Sequence, residues 1–263
     1  MLSKDLSALR QKKAFLCDMD GVLYHGNRLL PSVPEFVDWL HRERKKFLFL
    51  TNGSGRSPKA LSEKLSRMGL SVPPEHFCTS AQITAAFLAS QKPGASVFVI
   101  GDDGLREALC QAGLVLRDED VDYVVFGGTR AYSYEGIAHA VKLVRQGARL
   151  IGANADLTTP TDRGILPACR SLIAPIELAS GQRAYFTGKP NPLMLRHALR
   201  LLDCRPEDAV MIGDRMDTDI RAGVEGETDT LLVLSGISTE DSLRQYAFRP
   251  RWILERVGDI CES

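Results

Sequence analysis

The strongest constraint on this chain is a unit that recurs about nine times: a short apolar run, a polar or glycine-rich turn, then a helical pattern. The runs fall at 14–17, 47–50, 97–100, 123–126, 149–151, 184–186, 209–212 and 230–234, with a weaker one at 252–254. Runs this short and unbroken, flanked by turn residues, read as strands buried on both faces of a parallel sheet. Helical patterns at 33–44, 58–68, 81–90, 134–146 and 192–202 alternate with them. Ser57-Pro58 opens one helix, and Met68-Gly69 and Gln146-Gly147 close others. Strands alternating with helices predict an α/β fold.

Composition removes several classes of function. Lys plus Arg and Asp plus Glu each number 33 in 263 residues, so the formal net charge is zero. A binder of nucleic acid polymers or anionic membranes that works by bulk charge is therefore not expected. No stretch approaches the roughly 18 apolar residues of a membrane span. The opening MLSKDLSALRQKK is too charged to hold the apolar centre of a signal peptide. Six cysteines without a CxxC pair read as reduced thiols, and the expected location is cytoplasmic.

Ligands of open parallel sheets sit outside the carboxyl ends of the strands, so the residues just after each run matter most. Asp18-Met19-Asp20-Gly21 follows the first run and Thr51-Asn52-Gly53-Ser54 the second. Thr187-Gly188-Lys189-Pro190 follows the run at 184–186, and Gly213-Asp214-Arg215-Met216-Asp217-Thr218-Asp219 follows the run at 209–212. Clustered carboxylates repel one another unless a cation joins them, and all-oxygen ligation suits magnesium. A lysine beside such a metal makes a site for a multiply charged anion, and phosphate fits best. Gly188-Lys189 is not a P-loop, since Arg183 stands where that loop needs a glycine. Gly101-Asp102-Asp103-Gly104 also follows a run but lacks a lysine, and is expected to be a turn.

The segments DMDGVLYHG, FLTNGSGRS, GKPNP and IGDRMDTDI resemble, in order, the signature motifs of the haloacid dehalogenase superfamily of aspartate-nucleophile phosphohydrolases. With PACRSLIAPIE and the closing FRPRWI, they look most like the NagD-type phosphatases, over residues 13–255. The resemblance implies a Rossmann-like parallel-sheet core carrying an inserted, smaller α/β cap. It implies Asp18 as nucleophile, Asp20 as general acid and then base, and Mg2+ held by Asp18, Asp214 and the backbone carbonyl of Asp20. Thr51, Asn52 and Gly53 would bind the phosphoryl oxygens, and Lys189 would neutralise charge between Asp18 and phosphate. Asp219 and Thr218 would act from one layer behind the metal, and Arg215 would line the pocket. Asp217 is expected in solvent, and His25 lies in the turn after the nucleophile.

From Asn52 to Lys189 the chain is far longer than one strand-to-strand crossover needs, so a whole α/β unit is inserted there. The resemblance places the cap at 82–183 and the core at 1–81 and 184–263, with the cap setting substrate specificity. One stretch, GANADLTTPTDRGILP at 152–167, holds no apolar run and is expected to be a long loop, of the kind that is usually functional. Its Asn154, Asp156 and Arg163 either read the substrate beyond its phosphate or shape the loop itself.

The expected function is Mg2+-dependent hydrolysis of small phosphate monoesters through an aspartyl-phosphate. Nucleoside monophosphates such as UMP lead, by resemblance; sugar phosphates, phosphoglycolate and pyridoxal phosphate are the alternatives. The alternative from a different class is a non-catalytic phosphometabolite sensor on the same fold, which an altered Asp18 would have favoured, and a dehalogenase would not need the magnesium carboxylates. A homodimer through the cap is compatible with the sequence but not required by it.

Overall fold

The computed structural model describes residues 6–161 and 164–261. These fall into two compact units. One comprises the chain up to Thr51, Ser62–Cys78 and the chain from Lys189 on; the other comprises Asn52–Leu61 and Thr79–Gly188. The segment expected as an insert, 82–183, lies inside the second unit, which also takes in 52–61, 79–81 and 184–188.

The first unit is built on a six-stranded sheet. Its order is Trp252–Leu254, Asp229–Val233, Ala209–Gly213, Ala14–Asp18, Lys46–Thr51, Phe77–Thr79. The four pairings from Trp252–Leu254 to Lys46–Thr51 are parallel. The chain runs outward from Ala14–Asp18 to one side, then returns to fill the other. The strand order therefore reverses between Ala14–Asp18 and Ala209–Gly213, the place where such sheets open a crevice. Residues 14–17 are buried because helices cover the sheet. Helix Val33–Arg42 presents Val33, Phe36, Val37 and Leu40 at helical spacing. Phe36 and Trp39 of that helix meet Phe15 edge-on, with the Phe15–Trp39 centroids 5.3 Å apart.

The second unit repeats the logic with five strands, in the order Tyr185–Phe186, Arg149–Gly152, Tyr123–Phe126, Ser96–Ile100, Val115–Leu116. Alternate residues serve opposite faces. Val97, Val99, Tyr123, Val125 and Ile151 pack with helices Ser80–Gln91 and Asp103–Gln111. Ile100, Val124, Phe126 and Leu150 pack with helices Tyr134–Arg145 and Cys169–Ser180. A sheet covered on both faces needs apolar residues at every position, which is why these strands read as unbroken runs. All six cysteines are free. Among the described residues, no helix is long and apolar enough to cross a membrane.

Two departures from the sequence reading stand out. The expected loop at 152–167 contains an antiparallel ribbon, Thr158–Thr161 paired with Gly164–Pro167. A two-stranded ribbon exposed on both faces needs no apolar alternation, and it has a free edge where a proline is tolerated, so neither strand signal was present. The short strand Phe77–Thr79 was also missed, since three residues carry no period.

Gly101-Asp102-Asp103-Gly104, expected as a turn, is instead a bend at Gly101 followed by a helix start: Asp102 is the N-cap, and Asp103 and Gly104 open helix Asp103–Gln111. Its second glycine is required by close packing. A Cβ on Gly104 would stand 2.6 Å from the Arg56 backbone, and the Gly104 N–H donates to Gly55 O at 3.2 Å. This contact ties the 52–61 segment to the second unit. Gly104→Ala is expected to cost about 1–3 kcal/mol, as overpacking does. Asp103→Asn, at an exposed first helical turn, should cost less than about 1 kcal/mol. Chemical denaturation of both variants checks the pair.

Candidate active site

In the first unit, parallel register brings the acidic motifs together. Cys17 pairs with Ile212, so one residue further on Asp18 lies level with Gly213, and Asp214 follows directly. Oxygens of Asp18, Asp214 and Asp219 all lie within 4.8 Å of one another, and all three side chains are buried. Lys189 enters the same cluster at 2% exposure. Its Nζ donates to Asp18 Oδ1 in a short ion pair and to Asp219 Oδ1 at 2.7 Å.

Burial is the largest influence on the Lys189 charge and works against it. The Asp18 and Asp219 carboxylates outweigh it and raise the lysine's pKa, so it stays an ammonium. Burial likewise lifts Asp18 well above the usual carboxylate range; Lys189 pulls it back, while Asp219 and Asp214 push it further up. Asp214 is pushed up to about 7, by burial first and then by Asp219. With all three carboxylates ionised, the one ammonium would leave two negative charges uncompensated, which is what raises Asp18 and Asp214.

Asp214 shows where the compensation belongs. Its Oδ2 accepts from the Ile237 N–H at 2.8 Å, but its buried Oδ1 has no hydrogen-bond partner. An orphaned buried acceptor costs about 1–3 kcal/mol, more when charged. An all-oxygen donor set with an excess of two negative charges and one unpartnered oxygen fits a hard divalent cation. The cradle is tight: a Cβ on Gly236 would lie 1.9 Å from Asp214 Oδ2, and one on Gly21 2.5 Å from the same atom.

Asp219, expected one layer behind the metal, touches Lys189 directly. The reason is a wide, π-type turn at Met216–Ile220, in which the Asp219 and Ile220 N–H groups both donate to Arg215 O, at 3.0 and 3.1 Å. The turn swings Asp219 back over the strand end, where a Cβ on Gly213 would sit 2.1 Å from Asp219 Cβ. Such turns often mark functional sites. Thr218 is buried in the same turn. The Arg215 guanidinium pairs with Asp217, Nε to Oδ1 at 3.0 Å and Nη2 to Oδ2 at 2.8 Å. Asp20 is exposed, and its carboxylate is not part of the three-carboxylate group. Thr51 is half-buried at its strand end. His25 Nε2 lies 2.8 Å from Ser235 O.

The sequence reading missed the segment Ser235–Ser238. Besides Ile237, Ser238 N donates to Asp214 O at 3.0 Å, Ser238 Oγ accepts from Met216 N at 3.1 Å, and Ser235 Oγ donates to Gly21 O at 2.7 Å. Its signal was available: the segment follows the strand Asp229–Val233, at a carboxyl end like the other motifs.

In the second unit, Asn52, Asn154 and Asp156 form one hydrogen-bonded group. Asn52 Nδ2 donates to both Asp156 oxygens, at 3.1 and 3.2 Å, and Asn154 Nδ2 donates to Asn52 O at 2.6 Å. Gly53 is exposed beside them. Arg163 lies outside the described residues.

Comparison with known proteins agrees with this geometry. Residues 15–115 match the family model of haloacid dehalogenase-like hydrolases, and residues 186–260 match a HAD-hydrolase-like model. The dihydroxyacetone phosphatase of Corynebacterium glutamicum is 43% identical over 249 residues, covering 95% of this chain and 90% of that protein. An acid sugar phosphatase of Staphylococcus aureus is 37% identical over 252 residues, covering 95% and 97%. The solved structure of NagD from Escherichia coli K-12 superposes with a TM-score of 0.90 at 36% identity, covering 95% and 98%. The chain belongs to the haloacid dehalogenase-like hydrolases, among the NagD-type phosphatases, and is a phosphoric monoester hydrolase.

Proposed function

We propose that this chain is a Mg2+-dependent phosphatase of small sugar or triose phosphates, working through an aspartyl-phosphate on Asp18. The observation that carries the proposal is the buried group in which Lys189 bridges Asp18 and Asp219 while Asp214 keeps one oxygen without a partner. Asp18, Asp214 and the backbone carbonyl of Asp20 would hold the cation. When bound, it offsets the negative charge that Asp18 and the phosphoryl group bring together.

The chain's own residues then divide the work. Lys189 holds one Asp18 oxygen, and the other attacks phosphorus as the bond to the leaving oxygen breaks. Asp20 gives its proton to that leaving oxygen. In the second half, Asp20 takes a proton from water while the water oxygen attacks phosphorus. The Asp18–phosphorus bond breaks, and carboxylate and inorganic phosphate are restored. The exposure of Asp20 suits a group that must exchange protons, whereas at Asp18 the Lys189 ammonium, and the cation when bound, would favour the ionised form that burial and the other carboxylates oppose. Thr51, Asn52 and Gly53 bind the phosphoryl oxygens, Asp219 keeps Lys189 in place, and Arg215 and Thr218 shape the pocket wall. The second unit discriminates among leaving groups.

The sugar and triose phosphate reading replaces the leading expectation of UMP. It is supported by the relatives at 43% and 37% identity, named for dihydroxyacetone phosphate and for sugar phosphates. A panel of dihydroxyacetone phosphate, hexose phosphates, phosphoglycolate, UMP, pyridoxal phosphate and p-nitrophenyl phosphate tests it by phosphate release. The highest kcat/KM is expected for a triose or sugar phosphate, and a clear lead for UMP would overturn the substrate assignment. Asp18→Asn should lower kcat at least about a thousandfold on every substrate, as loss of a nucleophile does.

The metal is checked separately, by thermal melting. Millimolar Mg2+ should raise the Tm of the wild type and not that of Asp214→Asn. In the absence of metal, Asp214→Asn should melt above the wild type, because it removes one of three crowded charges. Since Asp214 must lose its proton to bind the ion and its pKa is pushed up to about 7, the Mg2+-induced rise should be larger at pH 8 than at pH 6.

A further inference from the structure

We infer that Asn154 and Asp156 are positioning residues that set Asn52, rather than readers of the substrate. The inference rests on the phosphatase reading above. Asn52 is held from several directions within the second unit. Its carbonyl accepts from Ser80 Oγ at 2.6 Å and from Asn154 Nδ2 at 2.6 Å, which uses both lone pairs. Its side-chain amide donates to the Asp156 carboxylate, a charge-assisted contact. Its Oδ1 lies where a Cβ on Gly188 would come within 2.8 Å.

The holders are themselves held. Asn154 is 5% exposed, and its Oδ1 accepts from the Asp156 N–H at 3.2 Å. Asp156 O accepts from the Arg170 N–H at 3.0 Å, at the start of helix Cys169–Ser180. Ala153 O accepts from the Gly188 N–H at 2.9 Å, so one short stretch, 153–156, grips both Asn52 and Gly188. Thr187 Oγ1 lies 2.7 Å from Thr84 Oγ1, whose hydroxyl also donates to Ser80 O at 2.7 Å.

The positions joined in this way are not arbitrary. The chain changes unit after Thr51, after Leu61, after Cys78 and after Gly188. Asn52 and Gly188 stand at two of those four crossings and Ser80 one residue past a third, and the network meets at Asn52. Thr51 precedes Asn52 directly and Lys189 follows Gly188 directly, so the network governs the backbone beside two of the proposed phosphate-binding motifs. A side chain that reads a sugar hydroxyl needs free polar atoms directed at ligand. Asn154 commits one N–H and one oxygen lone pair to the network, and at 5% exposure it has little surface left to offer a ligand.

Substrates with and without hydroxyls separate the two roles. p-Nitrophenyl phosphate has an aryl leaving group with nothing for a polyol reader to hold, and dihydroxyacetone phosphate has one. For positioning residues, Asp156→Ala and Asn154→Ala should each lower kcat about ten- to a hundredfold on both substrates, because misplacing a binding group by about 1 Å costs that much. KM should change less than about threefold. Asp156→Asn keeps an oxygen to accept from Asn52 and should retain kcat to within about threefold.

In a double-mutant cycle, Asn52→Ala with Asp156→Ala should be no worse than Asn52→Ala alone, since both act through one side chain. Where an alanine variant's Tm falls below the assay temperature, serine at the same position (Asp156→Ser, Asn154→Ser or Asn52→Ser) replaces it. A loss confined to KM for dihydroxyacetone phosphate, with p-nitrophenyl phosphate turnover intact, would assign the pair to substrate reading. Additive effects in the cycle would equally overturn the inference. If the wild type with Mg2+ turns over neither substrate, the phosphatase reading itself fails, which is a different result from unequal variants.

Discussion

A buried ammonium between two buried carboxylates organises this protein. Lys189 could not remain charged in the interior alone, because stripping water from an unpaired ion is prohibitive. Its presence therefore demands Asp18 on one side and Asp219 on the other. That demand reaches into the backbone. Asp18 has to end a central strand level with Gly213, and the chain after Asp214 has to make a wide turn instead of starting a regular helix. Glycine has to stand at 213, where any side chain would collide with Asp219.

The same arrangement is poorly satisfied by protein atoms alone. With all three carboxylates ionised, two negative charges would be left over, and one Asp214 oxygen is buried without a donor. A sequence selected only for stability would replace such a cluster with apolar residues, which commonly cost the fold nothing. Retaining it reverses the local rules of packing, as functional sites do. A divalent cation, as proposed above, would relieve these unfavourable electrostatics and so gain affinity from them.

The sheet strands and the four motif segments were legible because burial on both faces writes itself as unbroken apolar runs, and because chemistry collects at their carboxyl ends. What escaped notice had no local period. The ribbon Thr158–Thr161 with Gly164–Pro167 shows neither alternation nor a buried face. The contact of Asp219 with Lys189 was not foreseen, because a π-type turn has no sequence signature that composition reveals. Ser235–Ser238 was overlooked although it follows a strand like the other motifs, since backbone N–H groups rather than distinctive side chains do its work. The bond from Asn52 to Asp156 spans more than a hundred positions, and only tertiary structure discloses such a pairing.

The close meeting of Ser80 and Gly188 around Asn52 has a consequence for how proteins of this kind diversify. A continuous segment whose first and last residues lie side by side behaves as a cassette: removing or exchanging it leaves a gap that a short linker can close. Residues 79–188 meet that condition, joined at their ends through Thr84 and Thr187. Recombination could therefore exchange this module as one piece while the six-stranded sheet and its carboxylates stay unchanged.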